Sequence, residues 1–145
     1  MKRKIFHVTL RLAFAICLFL SQFFSNRNSL FTDNLYLLFA GILFLAGGIL
    51  LLISASLNLQ KAVKAKKIAI HGPFKYIRHP IYDSMYILST GLGLIFFSWL
   101  WFIVMVAFAP LWYLECKEEE KEMIKLHGQK YVDYQKTTGM FLPIR

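Results

Sequence analysis

Thiols are scarce in this chain. Cys17 and Cys116 are the only cysteines among 145 residues, and each stands alone, so neither a metal-ligand spacing nor a disulfide framework can be written. No metal is expected. Acidic residues are few as well, 8 Asp and Glu against 17 Lys and Arg, which leaves a formal charge of +9. That excess suits an anionic partner, either lipid headgroups or nucleic acid. No zinc-finger spacing and no single-strand-binding motif accompanies it, so nucleic acid is not expected. The Gly-x-Gly-x-x-Gly fingerprint of dinucleotide folds is missing, and there is no internal repeat or low-complexity tract.

The most informative absence is of charge itself. Ionisable residues cost several kcal/mol in hydrocarbon, so gaps between them mark membrane spans. Leu35 to Leu57 is a run of 23 residues without a charge, long enough at about 1.5 Å per residue to cross a core about 30 Å thick. Ser84 to Leu114 is a run of 31, too long for one ordinary span, with Gly91, Gly93 and Ser98 as turn sites; a tight hairpin of two short helices fits it. Ile5 to Phe24 is interrupted only by His7 and Arg11, both expected to snorkel to the headgroups. A cleaved signal peptide is the competing reading of this segment, but Gln22, Phe23 and Phe24 stand where a small-x-small cleavage site would be.

What is present agrees. Hydrophobic residues make up 57% of the chain before glycine is counted, against about 45–50% with glycine in a soluble domain. The expected fold is all-α: an integral membrane protein, residues 1–145 forming a single membrane domain. Its four transmembrane helices fall near 5–24, 35–57, 81–97 and 99–115, the last two as a C-terminal helical hairpin followed by a short cytoplasmic helical tail. Lysine and arginine set the orientation. Lys2, Arg3 and Lys4 precede the first helix, a run from Lys61 to Arg78 separates the second from the third, and Lys117 to Arg145 follow the fourth, while the Asn26–Asn34 loop has only Arg27. Both termini are expected in the cytoplasm, at the cell (inner) membrane if the source is bacterial. Gly47-Gly48 permits close helix packing within or between monomers, which leaves the oligomeric state open.

Two polar segments, 66–82 and 115–134, flank the hairpin. In the first, Gly72-Pro73 marks a turn and Pro80 suits the first position of a helix. Arg78 and His79 then stand at a helix N-terminus, which attracts an anion such as a carboxylate. Arg78, Tyr76 and Tyr82 read equally as interface anchors, Lys61 to Lys67 as a lipid-facing basic run, and Asp83 first as a helix-dipole partner and second as a proton acceptor. In the second, a helix continues from the membrane, Gly128 stops it, and Tyr131 and Tyr134 pack as a lid or rest on headgroups. Glu118-Glu119-Glu120 gathers negative charge at a basic membrane edge. A zwitterionic or sulfonium-bearing ligand answers both charge signs.

Gly72-Pro73-Phe74, Arg78-His79-Pro80-Ile81-Tyr82, a hairpin, Glu119-Glu120 with Met123, Gly128 with Tyr131 and Tyr134, and a final Leu142-Pro143 resemble the isoprenylcysteine carboxyl methyltransferase and phospholipid methyltransferase family. The match in order and spacing runs from about Lys66 to Pro143. The resemblance implies methyl transfer from S-adenosylmethionine, the cofactor, to a lipid or prenylated acceptor arriving through the bilayer. It implies cofactor-binding roles for Lys66, Ile68, Ala69, Phe74, His79, Pro80, Tyr82 and Glu119, and Arg78 joins them as a partner with His79 for the methionyl carboxylate. Three positions depart from the prenylcysteine pattern. Lys66 replaces a histidine, Phe74 lacks a tyrosine hydroxyl, and Glu115 stands where an arginine is associated with the substrate, which weakens a carboxylate acceptor and favours an amine or other lipid, with Lys117 as a substitute cation. A protonated amine needs a base, with Glu120, His79 and Asp83 as candidates. The rivals are a membrane NADPH-dependent reductase of related fold and a non-enzymatic four-helix transporter or scaffold.

Overall fold

The computed structural model describes the backbone of residues 2–25 and 32–143, with first-helix side chains from Thr9 to Phe24. The side chains of Lys2, Arg3 and Lys4, the Arg27 part of the loop and Arg145 therefore lie outside the described residues. Five α-helices are present among those described: α1 (Lys2–Ser25), α2 (Leu35–Lys64), α3 (Pro80–Ile95), α4 (Trp99–His127) and α5 (Gln129–Thr137). A 3₁₀ turn spans Gly72–Lys75, and the described residues contain no strand, only one isolated bridge between Ile77 and Gly139. The all-α expectation is met. Two helices, α2 and α4, are long and apolar enough to cross a membrane. Four spans were expected, but the apolar part of α1 is the shorter Thr9–Phe24, and α3 has 16 residues, about 24 Å of rise against a core of about 30 Å.

The helix ends have local causes. The Asn34 side chain accepts hydrogen bonds from the backbone N–H groups of Tyr36 (3.0 Å) and Leu37 (3.3 Å), capping α2. α2 runs about two turns past Leu57 to Lys64, because Leu59, Gln60, Lys61 and Ala62 are good helix formers and no glycine or proline intervenes. The break between α3 and α4 falls at Phe96–Ser98, leaving Gly91 and Gly93 inside α3. Buried Ser98 accepts a hydrogen bond from the Trp101 N–H at 3.3 Å and so starts α4. As expected, α4 continues beyond the apolar stretch, and it ends against Gly128 in the left-handed region at φ 59°.

The chain divides into two compact units, Met1–Leu45 with Ser89–Glu115, and Ala46–Leu88 with Cys116–Arg145. In the first, α2 and α3 approach so closely that a Cβ on Gly41 or on Gly91 would lie 2.8 Å from the other's carbonyl oxygen. Phe14 of α1 packs on Phe108 (5.1 Å) and edge-on to Trp112 (5.6 Å). Arg11, expected to snorkel, instead meets the Glu115 carboxylate at 3.3 Å, half exposed itself while Glu115 is buried. A buried anion needs a counter-charge more than the headgroups need this cation. In the second unit, Gly48 faces Leu88 within the chain, whereas Gly47 faces open space. The rest of that unit is the functional site.

Candidate functional site

The site is assembled from the α2–α3 connection, the start of α3, the end of α4, and α5. Gly72 adopts φ 59°, and a Cβ there would come within 2.4 Å of the Asn58 amide, so the loop closes on α2 only with glycine. The 3₁₀ turn that follows buries Phe74, whose carbonyl accepts a hydrogen bond from the Tyr134 hydroxyl at 2.6 Å. Buried Pro80 opens α3 as expected.

Arg78 and His79 come just before it. Their backbone N–H groups donate to the carbonyls of Gly139 (2.8 Å) and Met140 (3.2 Å). The Arg78 guanidinium bonds within the chain through Nε and Nη1. Its Nε donates to Glu120 Oε1 at 2.6 Å, and its Nη1 to the carbonyls of Gln135 (3.1 Å) and Thr138. The second Glu120 oxygen accepts from Gln135 Nε2 at 2.8 Å. His79 is buried between two carboxylates, Nε2 lying 3.3 Å from Glu120 Oε1 and Nδ1 3.7 Å from Glu119 Oε2. Tyr82 donates its hydroxyl proton to Glu119 Oε1 at 2.6 Å, and its ring stands edge-on to His79 at 5.8 Å.

Electrostatics follow the geometry. Burial alone would push the Glu120 carboxyl up, but the hydrogen bonds and charges of His79 and Arg78 outweigh it and hold the group at about 2. Burial pushes the Tyr134 hydroxyl up to about 12, and Tyr131, buried near Glu120, is raised as well. Both phenols stay neutral donors.

These groups surround a cavity of about 590 Å³, inside the range of small-molecule sites, about 300–1,000 Å³. Lys66, Ile68, Ala69, Phe74, Arg78, His79, Pro80, Tyr82 and Glu119 all line it. Of the three proton-acceptor candidates, His79 lines the cavity and Glu120 and Asp83 do not. Asp83 keeps one buried carboxyl oxygen without a hydrogen-bond partner among the described residues. Tyr131 and Tyr134 complete the wall, along with Met123, Leu126 and His127 of α4. Leu59 and Val63 were not foreseen. Their i, i+4 spacing in the last turns of α2 was the available signal, obscured because the helix was read only as far as its apolar stretch.

No curated protein and no solved structure gives a significant match to this chain. A family profile does, and its span takes in the Gly72 turn, the Arg78-His79-Pro80 corner and the carboxylates of α4. With the profile for phospholipid methyltransferase matching residues 10–130, the chain belongs to the phospholipid methyltransferase family.

Proposed function

We propose that the chain transfers a methyl group from S-adenosylmethionine to a lipid acceptor at the cytoplasmic edge of a membrane, with the cofactor held in the cavity of about 590 Å³. One observation carries the reading: nine residues singled out from the two polar segments, eight from 66–82 and Glu119 from 115–134, line one cavity. Its chemistry fits the cofactor. Glu119 offers a half-exposed carboxylate to an ammonium or ribose hydroxyl, Lys66, Lys67 and His127 offer positive or donor groups to a carboxylate, and Phe74, Tyr82 and Tyr131 offer aromatic surface to a purine or sulfonium. When bound, the cofactor supplies an electrophilic methyl group on a sulfonium.

The protein's part is placement and water exclusion, which can account for much of the rate of a displacement between bound partners. Tyr82 fixes the Glu119 carboxylate through its hydroxyl. Arg78, held in the wall by Nε and Nη1 on Glu120 and two carbonyls, lines the cavity with Lys66, Lys67 and His127, and the cofactor's carboxylate falls to this group. Glu115 is paired with Arg11, so no arginine stands at that position to receive an acceptor carboxylate. A lipid amine is the favoured acceptor. His79 is then the candidate base, because it alone of the three candidates lines the cavity.

Isothermal titration of the detergent-purified protein with S-adenosylmethionine tests the site. Wild type should bind, and Glu119→Gln and His79→Ala should each weaken binding; no binding by wild type, or unchanged binding by both variants, rejects the assignment. Lipid profiling of cells with and without the gene names the acceptor.

A further inference from the structure

The groups gathered on the buried Glu120 carboxylate decide which nitrogen of His79 carries its proton. We propose that Glu120 and Gln135 are positioning residues that hold neutral His79 as the tautomer protonated on Nε2, with its lone pair on Nδ1 turned towards the cofactor cavity. An ionised carboxylate only accepts hydrogen bonds. Glu120 is ionised, because the bonds and charges of His79 and Arg78 outweigh the upward push of burial. Each group facing it must therefore donate. Arg78 Nε does so to Oε1 at 2.6 Å, and Gln135 Nε2 to Oε2 at 2.8 Å. The third group is His79 Nε2, 3.3 Å from Oε1, and it joins this set only as an N–H. The tautomer of a neutral histidine is set by the bond one of its nitrogens makes. Nδ1 offers no competing bond among the described residues, since Glu119 Oε2 lies 3.7 Å away, beyond hydrogen-bond reach.

The two carboxylates also show which way the ring faces. Glu119 lines the cofactor cavity and Glu120 does not, so Nδ1, on the Glu119 side, is the nitrogen presented to a ligand. Gln135 sets the rotation of the Glu120 carboxylate. Its side chain occupies Oε2, which leaves Oε1 to His79 and Arg78, and its own carbonyl accepts from Arg78 Nη1 at 3.1 Å. One residue thus clamps both members of the ion pair, and its helix is fixed by the bond from neighbouring Tyr134 to the Phe74 carbonyl. The chemical use of this arrangement rests on the amine-acceptor reading. Nδ1 takes a proton from the acceptor ammonium: the N–H bond breaks, its electron pair stays on the amine nitrogen as the nucleophile, and the ring becomes an imidazolium between two carboxylates. Release of that proton to water restores the neutral ring.

Nitrogen NMR of the full chain in detergent, carrying isotope-labelled histidine, reads the tautomer directly. The His79 signals are those missing from His79→Ala. At the alkaline end of a pH series wild type should show a protonated Nε2 and an unprotonated Nδ1; the reverse, or an even mixture, overturns the proposal. Gln135→Met removes the side-chain donor and keeps the backbone carbonyl. It should move the signals toward the mixture and lower kcat by about threefold or more, with KM for S-adenosylmethionine within about twofold of wild type. Glu120→Gln should do the same more strongly, lowering kcat by about a hundredfold or more; if it does not fold, Gln135→Met carries the test. Wild-type signals in folded Gln135→Met overturn the part given to Gln135, and a loss of stability with the tautomer unchanged in both variants overturns the whole, leaving a structural role. Turnover is followed as methylation of a long-chain primary alkylamine in mixed micelles. If wild type does not methylate it, the amine reading falls, and the NMR still decides the tautomer.

Discussion

The cluster of Arg78, His79 and Glu120 concentrates the energetics of the site on a few atoms. Glu120 is 2% exposed and accepts from Arg78, His79 and Gln135. Removing its charge leaves Arg78 buried without a counter-ion, which costs about 3–5 kcal/mol. Glu120→Gln should therefore lose that much stability, measured by thermal unfolding in detergent. The pH dependence has a definite sign. The carboxyl titrates near 4.5 when free and at about 2 in the fold, so its stabilisation is fully present above pH 4.5 and is lost as pH falls toward 2, about 3 kcal/mol in all. Wild-type stability should fall across that window, and Glu120→Gln should lack that component of the fall. Tyr82→Phe removes only the donor to Glu119. A hydrogen bond to a charged group is worth about 1.5–3 kcal/mol, so cofactor affinity should drop about tenfold or more by titration calorimetry. Lys66→Gly relieves the left-handed strain at φ 54° and should raise stability by about 1 kcal/mol. The residue types of this cluster were legible as a motif; its wiring was not. The motif marks Arg78 as a partner for a carboxylate, but not that the chain itself supplies one 42 positions away together with two backbone carbonyls. A carbonyl acceptor leaves no mark in a sequence, because every residue carries one.

Among the elements, the turns and stops were the readable features, because proline and glycine act locally. Pro80 opens α3 and Gly128 closes α4 where their backbone chemistry requires. The end of α2 was less legible, since the edge of an apolar run marks where hydrocarbon ends and says nothing about where hydrogen bonding stops. The contact of α2 with α3 shows the same division. Gly47-Gly48 was visible as a small-residue pair, yet only Gly48 meets a neighbour, and the tightest crossing is at Gly41 and Gly91. Which glycine faces a partner depends on helix rotation, which one sequence does not specify. Gly91→Ala places a methyl group 2.8 Å from a carbonyl oxygen, and should destabilise by about 1–3 kcal/mol. Gly47→Ala meets nothing within 4 Å, and should be neutral or stabilising by up to about 1 kcal/mol through helix propensity. Thermal unfolding of the two variants side by side checks both outcomes.

For the whole molecule, the charge pattern predicts that the cavity lysines face the cytoplasm and that the turn between α3 and α4 faces away from it. A cysteine placed at Lys75 should be labelled by a membrane-impermeant thiol reagent only from the cytoplasmic side, and one at Phe97 only from the other. Labelling of both from one side rejects the arrangement. The hydrogen bonds from the Arg78 and His79 backbones to Gly139 and Met140 also impose an order in time. The motif residues of the connection and of α4 leave the ribosome well before residues 135–140 do. Until then Arg78 lacks its carbonyl acceptors and the edge of the Arg-His-Pro corner is unpaired. A nascent chain that already holds every residue lining the cofactor cavity still lacks the means to close its Arg78 corner, so competence to bind should arrive abruptly and late in translation.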